Sequence, residues 1–130
     1  MLQSNMNVKK TKYYTIELVE SNPSCLFIFG DNLIGKGTGG QAVIRYCKNS
    51  HGIPTKKYPS NTESSFFNDK EFENNKKVIQ AAIDSIDTSY QTIVFPVDGL
   101  GTGLAELPAR APKTYKFMID SINSRFGNVY

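Results

Sequence analysis

At 130 residues, with 39% hydrophobic and 21% charged residues, the chain has the size and balance of one globular domain. A formal net charge of +3 suits an anionic ligand but falls short of the charge density of a dedicated nucleic-acid binder. Two cysteines without metal spacing and a single histidine do not make a zinc site, and no resident metal or cofactor is expected. No apolar run reaches the length of a membrane span. The start, MLQSNMNVKKTK, lacks the apolar segment of a secretory signal, so a cytoplasmic protein with reduced Cys25 and Cys47 is expected.

In chain order, residues 1–12 read as a flexible basic segment, with Lys9, Lys10 and Lys12 clustered. The alternative use of this segment is as an arm for nucleic acid. Tyr13–Ile16 (YYTI) has strand composition, and Ser21-Asn22-Pro23-Ser24 is a turn cluster. Cys25–Phe29 is a short apolar run of the kind that forms a buried strand. A glycine-rich loop follows, and Gly39–Lys48 reads as a helix. The Asn49–Gly52 stretch has the chemistry to end that helix. Gly52–Lys57 (GIPTKK) is expected to be extended, because Pro54 disfavours helical geometry at Ile53.

Tyr58–Asn68 is a polar loop ending in Phe66-Phe67, two rings that either cover the core edge or line a pocket. Asn68 or Asp69 can cap a helix whose buried face carries Phe72, Ile79, Ala82, Ile83 and Ile86. Thr92–Pro96 (TIVFP) is a second buried strand, leading into a second glycine-rich loop, Gly99–Gly103. A last helix lies within Pro108–Phe126 and ends at Gly127, with a short strand expected at Asn128–Tyr130.

Strands alternating with helices predict an α/β domain of three layers, α/β/α, with a mixed, largely parallel sheet spanning 13–130. In such sheets ligands bind beyond the carboxyl ends of the strands. Both glycine loops leave strands at that end, so they are expected to meet at one rim and hold linked phosphates through backbone N–H groups.

Three motifs compete for the first loop. Gly30–Gly37 approaches a P-loop, but Gly37 stands where the magnesium-holding Ser or Thr belongs. Gly35, Gly37 and Gly40 spell G-x-G-x-x-G, the pattern of a nucleotide- or NAD-dependent enzyme, yet it sits too far beyond the strand and lacks the later acidic residue. The third reading starts from Asp31-Asn32 at the strand tip and Gly39-Gly40-Gln41-Ala42-Val43-Ile44 at the helix start. With Phe95–Leu104 as the second loop, this resembles the macro domains that bind ADP-ribose. Thr55-Lys56-Lys57 between the loops, and Gly101-Thr102-Gly103-Leu104 after them, resemble the branch that includes terminal ADP-ribose-protein glycohydrolases.

That resemblance covers about Tyr13–Phe126 and implies a macro-like domain over 13–130. It implies binding of ADP-ribose or an ADP-ribosylated macromolecule, with hydrolysis of the ADP-ribosyl linkage as the associated activity. Asp31, Asn32, Gly37, Thr38, Gly39, Gly40, Gln41, Gly99, Leu100, Gly101, Thr102 and Gly103 are the expected ligand-binding residues, with Asn32 against the distal ribose. Lys56 or Lys57 would be the nucleophile towards C1″, and Glu106 and Asp98 are the acid–base candidates. The chain departs from the branch at Ala105, where an aspartate is usual, with Glu106 next. Glu17 stands near the position where macro domains carry the aspartate that reads adenine.

Overall fold

The computed structural model describes residues 7–130. Four strands, β1 (Asn7–Thr11), β2 (Cys25–Asn32), β3 (Ser50–Lys56) and β4 (Thr92–Pro96), pair in the order β1-β4-β2-β3. Every described pairing is parallel, so the expected mixed sheet is parallel throughout the described residues. Four α-helices accompany it: α1 (Ile16–Glu20), α2 (Phe72–Asp84), α3 (Leu107–Arg110) and α4 (Pro112–Phe126). Among the described residues no helix is long and apolar enough to cross a membrane.

The two central strands are apolar on both faces because both faces are covered. Side chains alternate along a strand. Leu26, Ile28, Ile93 and Phe95 therefore enter one cluster, closed by Ile79 and Ile83 of α2 and by Met118 and Ile122 of α4. Phe27, Phe29 and Val94 enter the other, closed by Val19 of α1 and by Ala42 and Ile44. The layered α/β arrangement expected from the alternation of elements is what forms.

Several local expectations are corrected. The 1–12 segment is not flexible over its described part, since Asn7–Thr11 is an edge strand on β4; residues 1–6 lie outside the described residues. Lysines on an exposed edge discourage further strand pairing, and Lys10 and Lys12 also lie over the rings of Tyr130 and Tyr13. Tyr13–Ile16 is not a strand. Thr15 caps α1 instead, its hydroxyl accepting from Leu18 N–H at 3.0 Å; a threonine cap outweighs β composition here.

The helix expected over Gly39–Lys48 shrinks to a five-residue 3-10 turn, Gly40–Ile44. Gly40 takes φ +57°, a left-handed geometry that no α-helix can start from. The partial positive charge expected of a helix N-terminus is therefore largely missing, because so short a turn sums few peptide dipoles. Asn128–Tyr130 is not a strand either. Gly127 and Asn128 both have positive φ, and Tyr130 is held by paired hydrogen bonds with Asn123.

Candidate functional site

Beyond Phe27 and Val94 the ladder between β2 and β4 stops. Two side chains take over where the strands part. The Tyr14 hydroxyl donates to Ile28 C=O at 2.6 Å and lies 3.2 Å from Val94 C=O. Burial raises the Tyr14 phenol far above its ordinary range, with Tyr130 adding to the effect, so it remains a donor. One level higher, Gln41 Oε1 accepts from Gly30 N–H and Gln41 Nε2 donates to Gly99 C=O, each at 2.9 Å. One amide thus ties the first glycine loop to the second.

Replacing Gln41 by Leu leaves a partly buried N–H and C=O unpaired, a cost of about 1–3 kcal/mol. Urea denaturation should show Gln41→Leu destabilised by about 2 kcal/mol. A variant as stable as the parent would mean that the clasp carries no load.

The first loop is braced from beneath. Arg45, 8% exposed at its side chain, pairs with Asp31 at 2.7 Å. Its Nε and terminal nitrogen also donate to Gly37 C=O at 2.8 Å and Lys36 C=O at 3.1 Å. Asn32 closes the loop on itself: Nδ2 donates to Lys36 C=O at 2.7 Å, and Oδ1 accepts from Ile34 N–H at 3.1 Å. Both side chains are committed to loop geometry. Asp31 and Asn32 border the cleft as its scaffold.

The cleft between the loops has a volume of about 460 Å³, within the range of small-molecule sites. Its walls are the Lys36–Ala42 segment, the end of β3, Pro59 and Asn61, and Gly101 with Gly103–Ala105. Among the described residues, the backbone N–H groups of Thr38, Gly39, Gly101, Gly103 and Leu104 have no acceptor. Donors concentrated in one concavity make an anion site. Leu104, 65% exposed, reaches from the second loop to the first, with Cδ1 3.5 Å from where a Cβ on Gly39 would lie.

Thr55 and Lys56 are consecutive, yet both line the cleft. Regular alternation forbids that. The register of β2 against β3 slips at this point, with Asp31 opposite Pro54 and Asn32 opposite Lys56; such bulges re-aim side chains. Lys56 is only 8% exposed. Its Nζ lies 4.6 Å from the Phe66 ring centre and 3.4 Å from Asn61 Oδ1. Burial pushes the amine below the ordinary lysine range, Glu106 opposes that, and Arg110 reinforces it. A desolvated amine of this kind is a nucleophile at lower pH than a surface lysine.

The structure sorts the expected site residues. Asp31, Asn32, Gly37, Thr38, Gly39, Gly40, Gln41, Lys56, Gly101 and Gly103 border the cleft. Lys57 does not: it pairs with Glu71 at 2.5 Å. Gly99 serves through its carbonyl, Leu100 is wholly buried as the loop's anchor, and Thr102 bonds Asp98 C=O at 2.6 Å. Asp98 and Glu106 lie outside the cleft lining, and Glu106 is bonded to Arg110 at 3.0 Å. Ala105 lines the cleft at the position where the resembled branch has an aspartate.

Lys36, Thr55, Pro59, Asn61 and the bracing Arg45 were not foreseen. Of these only Lys36, embedded among the loop glycines, and Thr55, in the Thr55-Lys56-Lys57 motif, carried a signal. Among the described residues no cluster of three or more His, Cys, Asp or Glu is placed to hold a metal.

Fold and cleft define an α/β protein with an open cleft at the carboxyl rim of a parallel sheet. The chain belongs to the family described as family of unknown function (DUF7831), whose model matches residues 9–121. No curated protein and no solved structure matches it.

Proposed function

We propose that the cleft binds ADP-ribose or a related ADP-ribosyl nucleotide, in a macro-domain-like manner, and that Lys56 acts on the C1″ end of the bound ribose. The observation that carries this reading is the meeting of two distant glycine loops around one cleft with unpaired backbone donors on both walls. Two lysines, Lys36 and Lys56, border the same cleft, while its one carboxylate, Asp31, is neutralised by Arg45. The local field therefore favours an anion. A diphosphate would bridge the amides of Thr38–Gly39 and Gly101–Leu104. The ribose beyond it would meet Thr55, Asn61 and Lys56.

Catalysis on this reading is de-ADP-ribosylation of a modified macromolecule. Of the two candidate lysines Lys56 is the nucleophile, because Lys57 is paired with Glu71. The Lys56 Nζ would bond C1″ as the bond from C1″ to the carrier breaks, the carrier leaving with a proton from water. A second water would then release ADP-ribose and the free amine. Neither Asp98 nor Glu106 borders the cleft and Asp31 is paired with Arg45, so Lys56 works without a free cleft carboxylate as general acid. Turnover should consequently be slow.

Titration calorimetry with ADP-ribose tests the binding; absence of heat at millimolar ligand would remove the proposal. For catalysis, Lys56→Ala is expected to abolish release of ADP-ribose from a modified carrier, and Lys57→Ala to leave it near the parent rate. Equal release by the parent and Lys56→Ala would take the lysine out of the chemistry.

A further inference from the structure

Lys56 is nearly buried, yet among the described residues it has no ion-pair partner. A buried ammonium without a counter-ion is costly, and a nearby carboxylate normally relieves it. Such a carboxylate exists. Glu106 is close enough to act on Lys56 electrostatically but is held elsewhere. Arg110 Nε donates to Glu106 Oε1 at 3.0 Å, and a second guanidinium nitrogen pairs with Glu63 Oε2 at 2.7 Å.

The arginine is itself fixed in place, its guanidinium carbon 3.7 Å from the centre of the Phe66 ring over which Lys56 also lies. Glu106 sits at the start of α3 with φ +51°. Such a backbone geometry is strained for a non-glycine residue and persists only where its surroundings impose it.

We propose that Arg110 is a positioning residue for Lys56: by holding Glu106, it keeps that carboxylate from pairing with the cleft amine. The other charged groups around Lys56 do not substitute. Lys57 is turned onto Glu71, Asp31 is held by Arg45, Glu63 is held by Arg110, and Lys36 across the cleft is a like charge. The inference rests on Lys56 being the working group of the proposed site, but not on the ligand being ADP-ribose.

The test uses the full chain and no ligand. The rate of Lys56 acetylation by acetic anhydride is followed against pH by peptide mass spectrometry, with Lys57 as internal reference. Arg110→Gln frees Glu106, so the Lys56 profile should move to higher pH, with labelling at pH 7.5 at least about threefold slower. Glu106→Gln removes the carboxylate, so its profile should move to lower pH. In the double variant Arg110→Gln/Glu106→Gln the upward movement should shrink to the part left by loss of the arginine's own charge, because the rest acts through Glu106. Arg110→Lys, which can still bond Glu106, should restore most of the parent profile.

The Lys57 profile should hold still in every variant; general loosening of the fold would move both lysines. An Arg110→Gln profile that stays put, or one whose full upward movement survives in the double variant, overturns the proposal. Failure of ADP-ribose to bind would leave this result intact and strike only the proposed ligand.

Discussion

A Gly52→Ala variant is expected to lose roughly 3–5 kcal/mol of stability, the largest loss from a single added methyl group near the cleft. The added Cβ would lie 2.4 Å from Asp31 Oδ2 and 2.7 Å from Asp31 Cβ. The second distance matters more. A carboxylate tip can rotate away, but a Cβ is fixed to the backbone of β2. Rotation of the tip would also break the 2.7 Å pair with Arg45 and the bond from Asn32 N–H to Asp31 Oδ1. It would leave a largely buried guanidinium without its carboxylate, which is where most of the cost arises.

Thermal unfolding should fall by about 10 °C or more. Removing the obstacle with Gly52→Ala/Asp31→Gly should not restore the parent, because Arg45 would still lack its partner. A Gly52→Ala melting curve within about 2 °C of the parent would mean that β2 and β3 separate there at little cost.

The second large effect is expected at Gly101, where space and backbone conformation oppose substitution together. Its φ is +74°, and an added Cβ would stand 3.0 Å from both Leu107 Cβ and Thr55 Cβ. Left-handed geometry costs an alanine about 1–2 kcal/mol, and overpacking against atoms this close to the backbone costs about 1–3 kcal/mol more. Gly101→Ala should therefore lose roughly 2–5 kcal/mol in urea denaturation.

It should also weaken ligand binding, since Thr55 and Gly101 are adjoining walls of the cleft. Gly103→Ala supplies the contrast. It lines the same cleft, but nothing lies within 4 Å of its added Cβ, so stability should change by less than about 0.5 kcal/mol. Equal losses in the two variants would show that the loop tolerates or rejects a side chain for reasons other than contact with Leu107 and Thr55.

What could be read from the residues alone follows from how local each signal is. β2, β4 and α2 were legible because apolar runs and helical spacing report burial directly. Both glycine loops were legible because the residues that shape them sit next to one another. β1 was not. Its NVKKT sequence is that of an exposed edge strand, and its partner β4 lies some eighty positions away.

The 3-10 turn read as a helix because Val43, Tyr46 and Cys47 fall at helical spacing, and nothing in the letters fixes Gly40 at positive φ. Lys56 and Lys57 were inseparable because the register slip that turns Thr55 and Lys56 the same way depends on β2, not on β3. Gln41 was named from its motif and borders the cleft, but its use as the tie between loops requires Gly99 to be close by. Arg45 left no trace, since its partners are mostly backbone carbonyls.

Leu104 adds a kinetic consequence. An apolar side chain beside Gly39 and Gly40 stands in the path of the anion proposed for this cleft, so its binding is expected to require the leucine to swing outward first. Arrival would then be paced by that swing instead of by collision frequency. Were the leucine to fold back over the proposed ligand, the same barrier would delay departure, and stopped-flow kinetics should show slow capture with slow release.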